Sequence, residues 1–254
     1  MANWSDPRTG AAPFATAGAR TEARDAGLRS YMLSVYNYML SGVLLTAIIA
    51  LVFAKTSLIT LLFQVQETAR GTSVAPSLLG WVVMLSPLAV VMAMSFGQNR
   101  LSEGTLKTLF FVYAGLLGAS LSTIFLSYTD TSIAQVFFGT AAGFGALSLY
   151  GYTTKKDLSG LGTFLIMGLV GLIVASIVNL FLQSGTMSLV ISVLGVLIFA
   201  GLTAYDTQKI KSMYAYVGGT DMQGKAVIMG ALTLYLDFIN MFLFLLRLFG
   251  SSRD

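Results

Sequence analysis

Two aspartates stand out in this sequence, because both lie within long apolar runs. Asp206 sits in the run that ends with Tyr-Asp-Thr-Gln-Lys, and Asp237 lies within Leu-Tyr-Leu-Asp-Phe-Ile-Asn. A carboxylate in membrane hydrocarbon costs roughly 2.5–3.5 kcal/mol on insertion scales, so such a residue is a candidate functional group. The other acids fall in terminal segments or polar loops. Charge and hydropathy alone therefore select this pair.

The sequence contains neither histidine nor cysteine. The absence of cysteine excludes disulfides, thiol catalysis and thiolate metal sites. Without histidine, a response to pH near neutrality has to come from carboxylates. Two carboxylates in one site cannot both ionise at low cost, so the pair would titrate as a unit. The alternative interpretation is structural: Asp206 would bond to Lys209 or to a helix end, and Asp237 would form one polar bond in a helix bundle.

The composition predicts an all-α, multi-pass membrane protein. Hydrophobic residues make up 56% of the chain and charged residues 10%, and mean hydropathy is +0.78; soluble domains carry about 25% charged residues. Seven apolar spans are each near the roughly 20 residues that a membrane helix needs. The predicted spans are residues 35–54, 78–96, 108–127, 133–152, 161–182, 188–207 and 226–248.

The predicted membrane domain covers residues 30–250. Residues 1–29 are rich in Ala, Gly, Thr and Arg, which predicts a disordered cytoplasmic tail. Residues 22–36 are predicted to be helical and to lie at the interface. The chain shows no early apolar segment typical of a cleavable signal peptide.

The distribution of basic residues predicts an N-terminus inside and a C-terminus outside. With that orientation, eleven of the fifteen Lys and Arg residues lie on the cytoplasmic side. The four on the other side are Lys55, Arg70, Arg247 and Arg253.

The depths of the two aspartates do not match at first sight. Asp206 lies near the cytoplasmic end of span six, whereas Asp237 lies eleven residues after Ala226, roughly 16 Å along a helix. The pair can meet if span six continues as helix through Lys211, or if span seven starts nearer Gly230. Elsewhere, the small-residue spacing of Gly139 and Gly143 predicts close helix packing.

Four segments carry a resemblance to a known family. They are 205–211 (Tyr-Asp-Thr-Gln-Lys-Ile-Lys), 234–240 (Leu-Tyr-Leu-Asp-Phe-Ile-Asn), 155–159 (Lys-Lys-Asp-Leu-Ser) and 245–250 (Leu-Leu-Arg-Leu-Phe-Gly). Together they resemble the Bax inhibitor-1 family, also called the transmembrane Bax inhibitor motif proteins, in its bacterial YccA-like branch. The resemblance covers about residues 29–250 and implies seven transmembrane helices, with the last one central and six around it, in the bacterial inner membrane.

The resemblance also implies a function: a pH-sensitive calcium leak gated by an aspartate pair. Asp206 and Asp237 match that pair and would contact calcium transiently. An arginine at the cytoplasmic end of helix two holds the aspartates in this family, and Arg100 matches it, with Asn99 and Lys107 as alternatives. Some calcium-conducting members carry a further acid in helix two, and residues 81–89 contain none.

Two alternative functions follow from the same residues. Bacterial relatives are implied to bind the membrane protease FtsH and modulate it, and the tail up to Arg29 is a candidate contact. Two membrane aspartates are also found in presenilin-type proteases. Those use Gly-x-Gly-Asp and Pro-Ala-Leu motifs, which this chain lacks. Neither enzymatic activity nor a cofactor is therefore expected.

Overall fold

The computed structural model describes residues 13–68 and 71–253, which form a helical bundle with one hairpin. The elements in chain order are α1 (Pro13–Lys55), α2 (Ile59–Leu62), β1 (Phe63–Thr68), β2 (Gly71–Pro76), α3 (Leu78–Gly97), α4 (Glu103–Leu121), α5 (Ile124–Ser127), α6 (Asp130–Thr153), α7 (Ser159–Leu182), α8 (Gly185–Val217) and α9 (Gln223–Phe249).

Seven segments among the described residues are long and apolar enough to cross a membrane, as predicted. Each predicted span lies within one of them. The third continues from α4 through a turn into α5. The largest difference is in α8, which continues to Val217, ten residues beyond the predicted end of span six.

Helix α9 is the centre of the bundle, which confirms the predicted position of the last helix. In its most apolar window 67% of the residues are buried, compared with 11% for α7. Helix α9 packs against α1, α4, α6 and α8. The two remaining spanning helices lie outside this ring, because α3 packs mainly on α4, and α7 on α8.

The N-terminal part of α1 packs against the C-terminal part of α8. Helix α1 begins at Pro13, earlier than the predicted tail boundary at residue 29, and its Ala-rich start favours helix. A side chain at Gly27 would meet the Tyr214 hydroxyl at 2.0 Å, and the Tyr31 and Tyr214 rings lie 5.3 Å apart. The rest of the predicted tail, residues 1–12, lies outside the described residues.

A β-hairpin between α2 and α3 was not predicted from the sequence. Strands β1 and β2 are antiparallel, with Phe63 opposite Pro76 and Thr68 opposite Gly71. The Ser77 hydroxyl donates to the Leu61 carbonyl at 2.6 Å and caps α3 through the Gly80 N–H. These bonds join α2, which precedes the hairpin, to the start of the second span.

Candidate functional site

The structure brings Asp206 and Asp237 together at the interface of α8 and α9. Both are buried, with 9% and 4% of their surface exposed. Their carboxyl groups lie within hydrogen-bonding reach of each other. Two acids from separate apolar helices therefore form one site.

The continuation of α8 beyond the predicted span explains how the depths match. Asp206 lies eleven residues before the end of α8, and Asp237 lies fourteen residues after the start of α9. These distances are about 16 and 21 Å along the helices. The turn that joins them reverses at Gly219, whose φ of +74° favours glycine. Two antiparallel helices joined by this turn thus hold the acids at nearly the same height.

Asp237 carries an oxygen whose hydrogen-bonding capacity is unused. Its Oδ2 atom is buried and has no partner among the described residues. A buried polar atom without a partner is costly. A protonated carboxyl group is less costly to bury than a carboxylate, which fits a pair that shares one proton.

Lys209, three residues further along α8, lines the smaller of the cavities that reach Asp206, and its positive charge attracts the Asp206 carboxylate. Its Nζ atom lies 5.8 Å from the centroid of the Tyr205 ring. The spacing of three residues places Asp206 and Lys209 on neighbouring positions of one helix face.

Arg100 and Lys107, the cations that the sequence suggested for holding the aspartates, lie elsewhere. Arg100 is exposed in the turn between α3 and α4, where its N–H donates to the Gly97 carbonyl at 2.8 Å. Lys107 places its Nζ atom 5.2 Å from the centroid of the Tyr38 ring. Neither residue lines a cavity that reaches Asp206, whereas Asn99 does.

Two cavities approach the aspartates from opposite ends of the bundle. The larger, about 780 Å³, lies between α7, α8 and α9 and extends to Arg247 near the end of α9. The smaller, about 310 Å³, is lined by Asn99 and Lys225 at the other end. Asp206 and Thr233 line both cavities. Asp206 therefore lies between two cavities that lead towards opposite ends, and Asp237 lines the larger one.

One protein family matches almost the whole sequence. The chain matches the family described as "Inhibitor of apoptosis-promoting Bax1" across residues 28–254. It belongs to the Bax inhibitor-1 family. The predicted resemblance is thereby confirmed.

Several bacterial relatives of this Bax inhibitor-1 family member match over nearly their whole length. The inner membrane protein YbhL of Escherichia coli K12 is 46% identical over 231 residues, which cover 90% of this chain and 94% of YbhL. An uncharacterised protein of Rickettsia prowazekii is 47% identical over 240 residues, which cover 94% and 97% of the two chains. With its seven spanning helices, the chain is a multi-pass inner-membrane protein, as predicted.

One further side-chain oxygen lies near the aspartates of this family member. The described residues contain no group of three or more His, Cys, Asp or Glu side chains that could hold a metal, and Ca²⁺ usually takes about six to eight oxygen ligands. Asn240 lines the larger cavity, and its amide nitrogen donates to the Leu236 carbonyl at 2.8 Å. The Asn240 oxygen therefore stays available beside the pair.

Sequence reasoning missed several residues of the site. Thr233 lies four residues before Asp237, so helical spacing could have identified it. The hydroxyl chain next to the site had no sequence signal: Tyr36 bonds Ser148, and Ser148 Oγ lies 2.9 Å from Thr207 Oγ1. This chain joins α1 and α6 to the residue that follows Asp206.

Proposed function

We propose that this protein is a pH-sensitive cation leak, with calcium as the permeant ion, in which Asp206 and Asp237 form the gate. One observation carries the proposal: Asp206, together with Thr233, lines both the larger and the smaller cavity. A cation that crossed between the cavities would have to pass the carboxyl groups.

The protonation of the pair would control this passage in two ways. A shared proton joins the carboxyl groups and so ties α8 to α9. Two ionised groups repel each other and present a double negative charge to a cation. The charged groups that face the pair through the smaller cavity are Lys209 on α8 and Lys225 on α9, whereas the α3 turn presents uncharged Asn99. A change of one proton therefore alters both the helix contact and the field in the pathway.

Calcium flux into vesicles that contain the purified protein tests the gate. Flux through the unchanged protein is expected to vary with pH, because the charge of the pair changes when it gains or loses a proton. Asp206→Asn and Asp237→Asn should each remove this variation. Asp221→Asn is the matched control, because Asp221 is an exposed acid in the turn between α8 and α9. If both pair variants followed the unchanged flux–pH curve, the gate assignment would be refuted.

The role suggested for Arg100 extends this proposal to a second state. Helix α3 packs mainly on α4, and only 17% of its apolar window is buried, so few contacts oppose its displacement. A shift of its end would bring Arg100 towards the cavity wall that Asn99 already forms. Arg100→Gln should then change the flux–pH curve, and Lys107→Gln should not. The reverse result would assign the role to Lys107.

Modulation of FtsH is a second candidate, favoured by the extensions of α1 and α8 beyond the membrane spans. The α8 extension presents Tyr216 with 84% of its surface exposed. Exposed aromatic side chains are typical of protein contact sites. Tyr216→Ser should therefore weaken co-purification with FtsH and leave calcium flux unchanged. Equal recovery of FtsH with both proteins would argue against this contact.

A further inference from the structure

A second cluster of charge lies in the loop between α6 and α7. A cleft of about 300 Å³ between this loop and α8 is lined by Lys155, Lys156 and Lys209, with Asp157 as its acid. The ion pairs between described residues use Asp130, at the other end of α6. None of the three lysines takes part in an ion pair between described residues, and their charge dominates the cleft.

The loop that carries two of these lysines is held against α8 by Gln208. The Gln208 side chain accepts a hydrogen bond from the Leu158 N–H at 2.9 Å and donates one to the Lys156 carbonyl at 2.8 Å. These two bonds fix the loop on both sides of Asp157. The lysines of the loop and Lys209 of α8 are thus held around one cleft.

Asp157 is engaged with the start of α7. Its Oδ1 atom accepts a hydrogen bond from the Ser159 N–H at 2.9 Å. Hydrogen bonds from the Ser159 side chain and backbone hold the pKa of Asp157 below its usual range. Asp157 therefore stays ionised at the start of this helix, where negative charge is favourable. The lining of the cleft thus contains three lysines and one carboxylate that is engaged by Ser159, so its net charge is positive.

We propose that this cleft binds a phosphate group at the membrane surface, through Lys155, Lys156 and Lys209. Ammonium groups bind phosphate as point charges. Basic pockets at the cytoplasmic ends of membrane helices are suited to anionic lipid headgroups. The headgroup of an anionic phospholipid and a soluble phosphate compound offer the same chemistry to the cleft.

Lys209 connects the cleft to the aspartate pair. It lines both the cleft and the smaller cavity that reaches Asp206. A bound phosphate would therefore draw the Lys209 charge away from Asp206. This consequence rests on the proposed gate, whereas binding to the cleft does not.

Binding can be measured with a single probe, because the chain contains no cysteine. Ser212 is exposed and lines the cleft, so Ser212→Cys in the full chain can carry a fluorophore. The protein is placed in phosphatidylcholine vesicles at about 0.15 M salt, where charges are screened beyond about 8 Å. Quenching is recorded as spin-labelled phosphatidylglycerol is added, with spin-labelled phosphatidylcholine as the comparison lipid.

We expect phosphatidylglycerol to quench the probe at lower lipid fractions than phosphatidylcholine does. Lys155→Gln and Lys156→Gln should each raise the half-saturating fraction about fivefold, from about 1 kcal/mol per basic residue near a membrane surface. Lys107→Gln is the matched control and should leave it unchanged, because Lys107 lies over Tyr38. Equal quenching by both lipids, without any effect of inorganic phosphate, would overturn the site. The site would also be overturned if Lys155→Gln and Lys156→Gln had the same half-saturating lipid fraction as the unchanged protein.

The two phosphate sources give different results in the same assay. If inorganic phosphate leaves the phosphatidylglycerol quenching in place, the headgroup is the occupant. If inorganic phosphate shifts the probe fluorescence in phosphatidylcholine vesicles and prevents quenching, a soluble phosphate compound is the occupant. Either result supports the cleft. The quenching assay does not depend on calcium flux. A result that refutes phosphate binding can therefore be distinguished from one that refutes the proposed gate.

Discussion

The hydrogen bonds that lock α9 to α1 and α4 allow a quantitative test of the bundle. The Thr46 hydroxyl donates to the Ala114 carbonyl at 2.9 Å, and its oxygen lies 2.6 Å from the Tyr235 hydroxyl. Thr46 has a single hydroxyl proton, which Ala114 takes, so Tyr235 must donate the second bond. Tyr235 is fully buried. The three helices thus meet in one directed chain of hydrogen bonds, two residues from Asp237.

Removing either end of the Thr46–Tyr235 bond should have different effects. Tyr235→Phe leaves Thr46 bonded to Ala114 and keeps the ring contacts of Tyr235 with Phe110 and Tyr113. The expected loss is about 0.6 kcal/mol, the mean for hydrogen bonds between membrane helices. Thr46→Val instead leaves the buried Tyr235 hydroxyl without a partner, which costs about 1–3 kcal/mol.

The double variant separates these two contributions. With Tyr235→Phe added to Thr46→Val, no buried hydroxyl remains unpaired, so the double variant should be more stable than Thr46→Val alone. Unfolding of the purified protein in mixed micelles with increasing SDS measures the free energies. If the two single losses simply added in the double variant, the two hydroxyl groups would not be coupled, and the inferred Thr46–Tyr235 bond would be wrong.

Three other regions give further predictions. Gly151→Ala should destabilise the protein, because a Cβ atom there would lie 2.1 Å from the Ala204 carbonyl oxygen, whereas Gly143→Ala, with open space around it, should stabilise by up to about 1 kcal/mol; melting temperatures compare them. Arg253→Ala removes an exposed ion pair and a bond to a carbonyl of α5, so hydrogen exchange at the end of α9 should increase, with an ion-pair contribution of about 0–1 kcal/mol. Because the pKa of Asp157 is held below its usual range, its contribution to stability is present above the unfolded pKa and is lost as pH falls through the folded pKa. The protection of the first turn of α7 against hydrogen exchange, measured relative to the intrinsic exchange rate at each pH, should therefore fall with acid, and Asp157→Asn should abolish this fall.

Hydropathy predicted the spans because a membrane helix must be apolar over about 20 residues. It could not predict where α8 ends, because residues 208–217 are more polar and lie beyond the predicted span. The spacing of small residues also did not indicate which face of a helix packs against its neighbours. Gly139 and Gly143 have the spacing of a packing motif, yet both are exposed with open space around them. The tight contact on the same helix is at Gly151 instead, which meets α8 directly.

The part of the site that depends on the sequence of a single helix could be predicted. The cost of a carboxylate in hydrocarbon selected Asp206 and Asp237, and helical spacing contains the signal for Thr233 and Lys209. Contacts between distant segments could not be predicted from the pattern within one helix. Tyr36 and Ser148 are 112 residues apart, and their bond depends on how α1 and α6 are rotated. No periodicity within either helix specifies that rotation.

The extension of α8 beyond the predicted span allows Asp206 and Asp237 to lie next to each other. If α8 ended at Thr207, Asp206 would lie one residue from the helix end, while Asp237 would still lie about 21 Å into α9. The two carboxyl groups could not then meet across a short turn. The ten extra residues of α8 move the turn about 15 Å further along the helix axis from Asp206. This brings the two carboxyl groups to nearly the same depth. The same residues include Lys209, which lines both the phosphate cleft and the smaller cavity. The segment that aligns the acids thus also carries the lysine whose charge acts on Asp206.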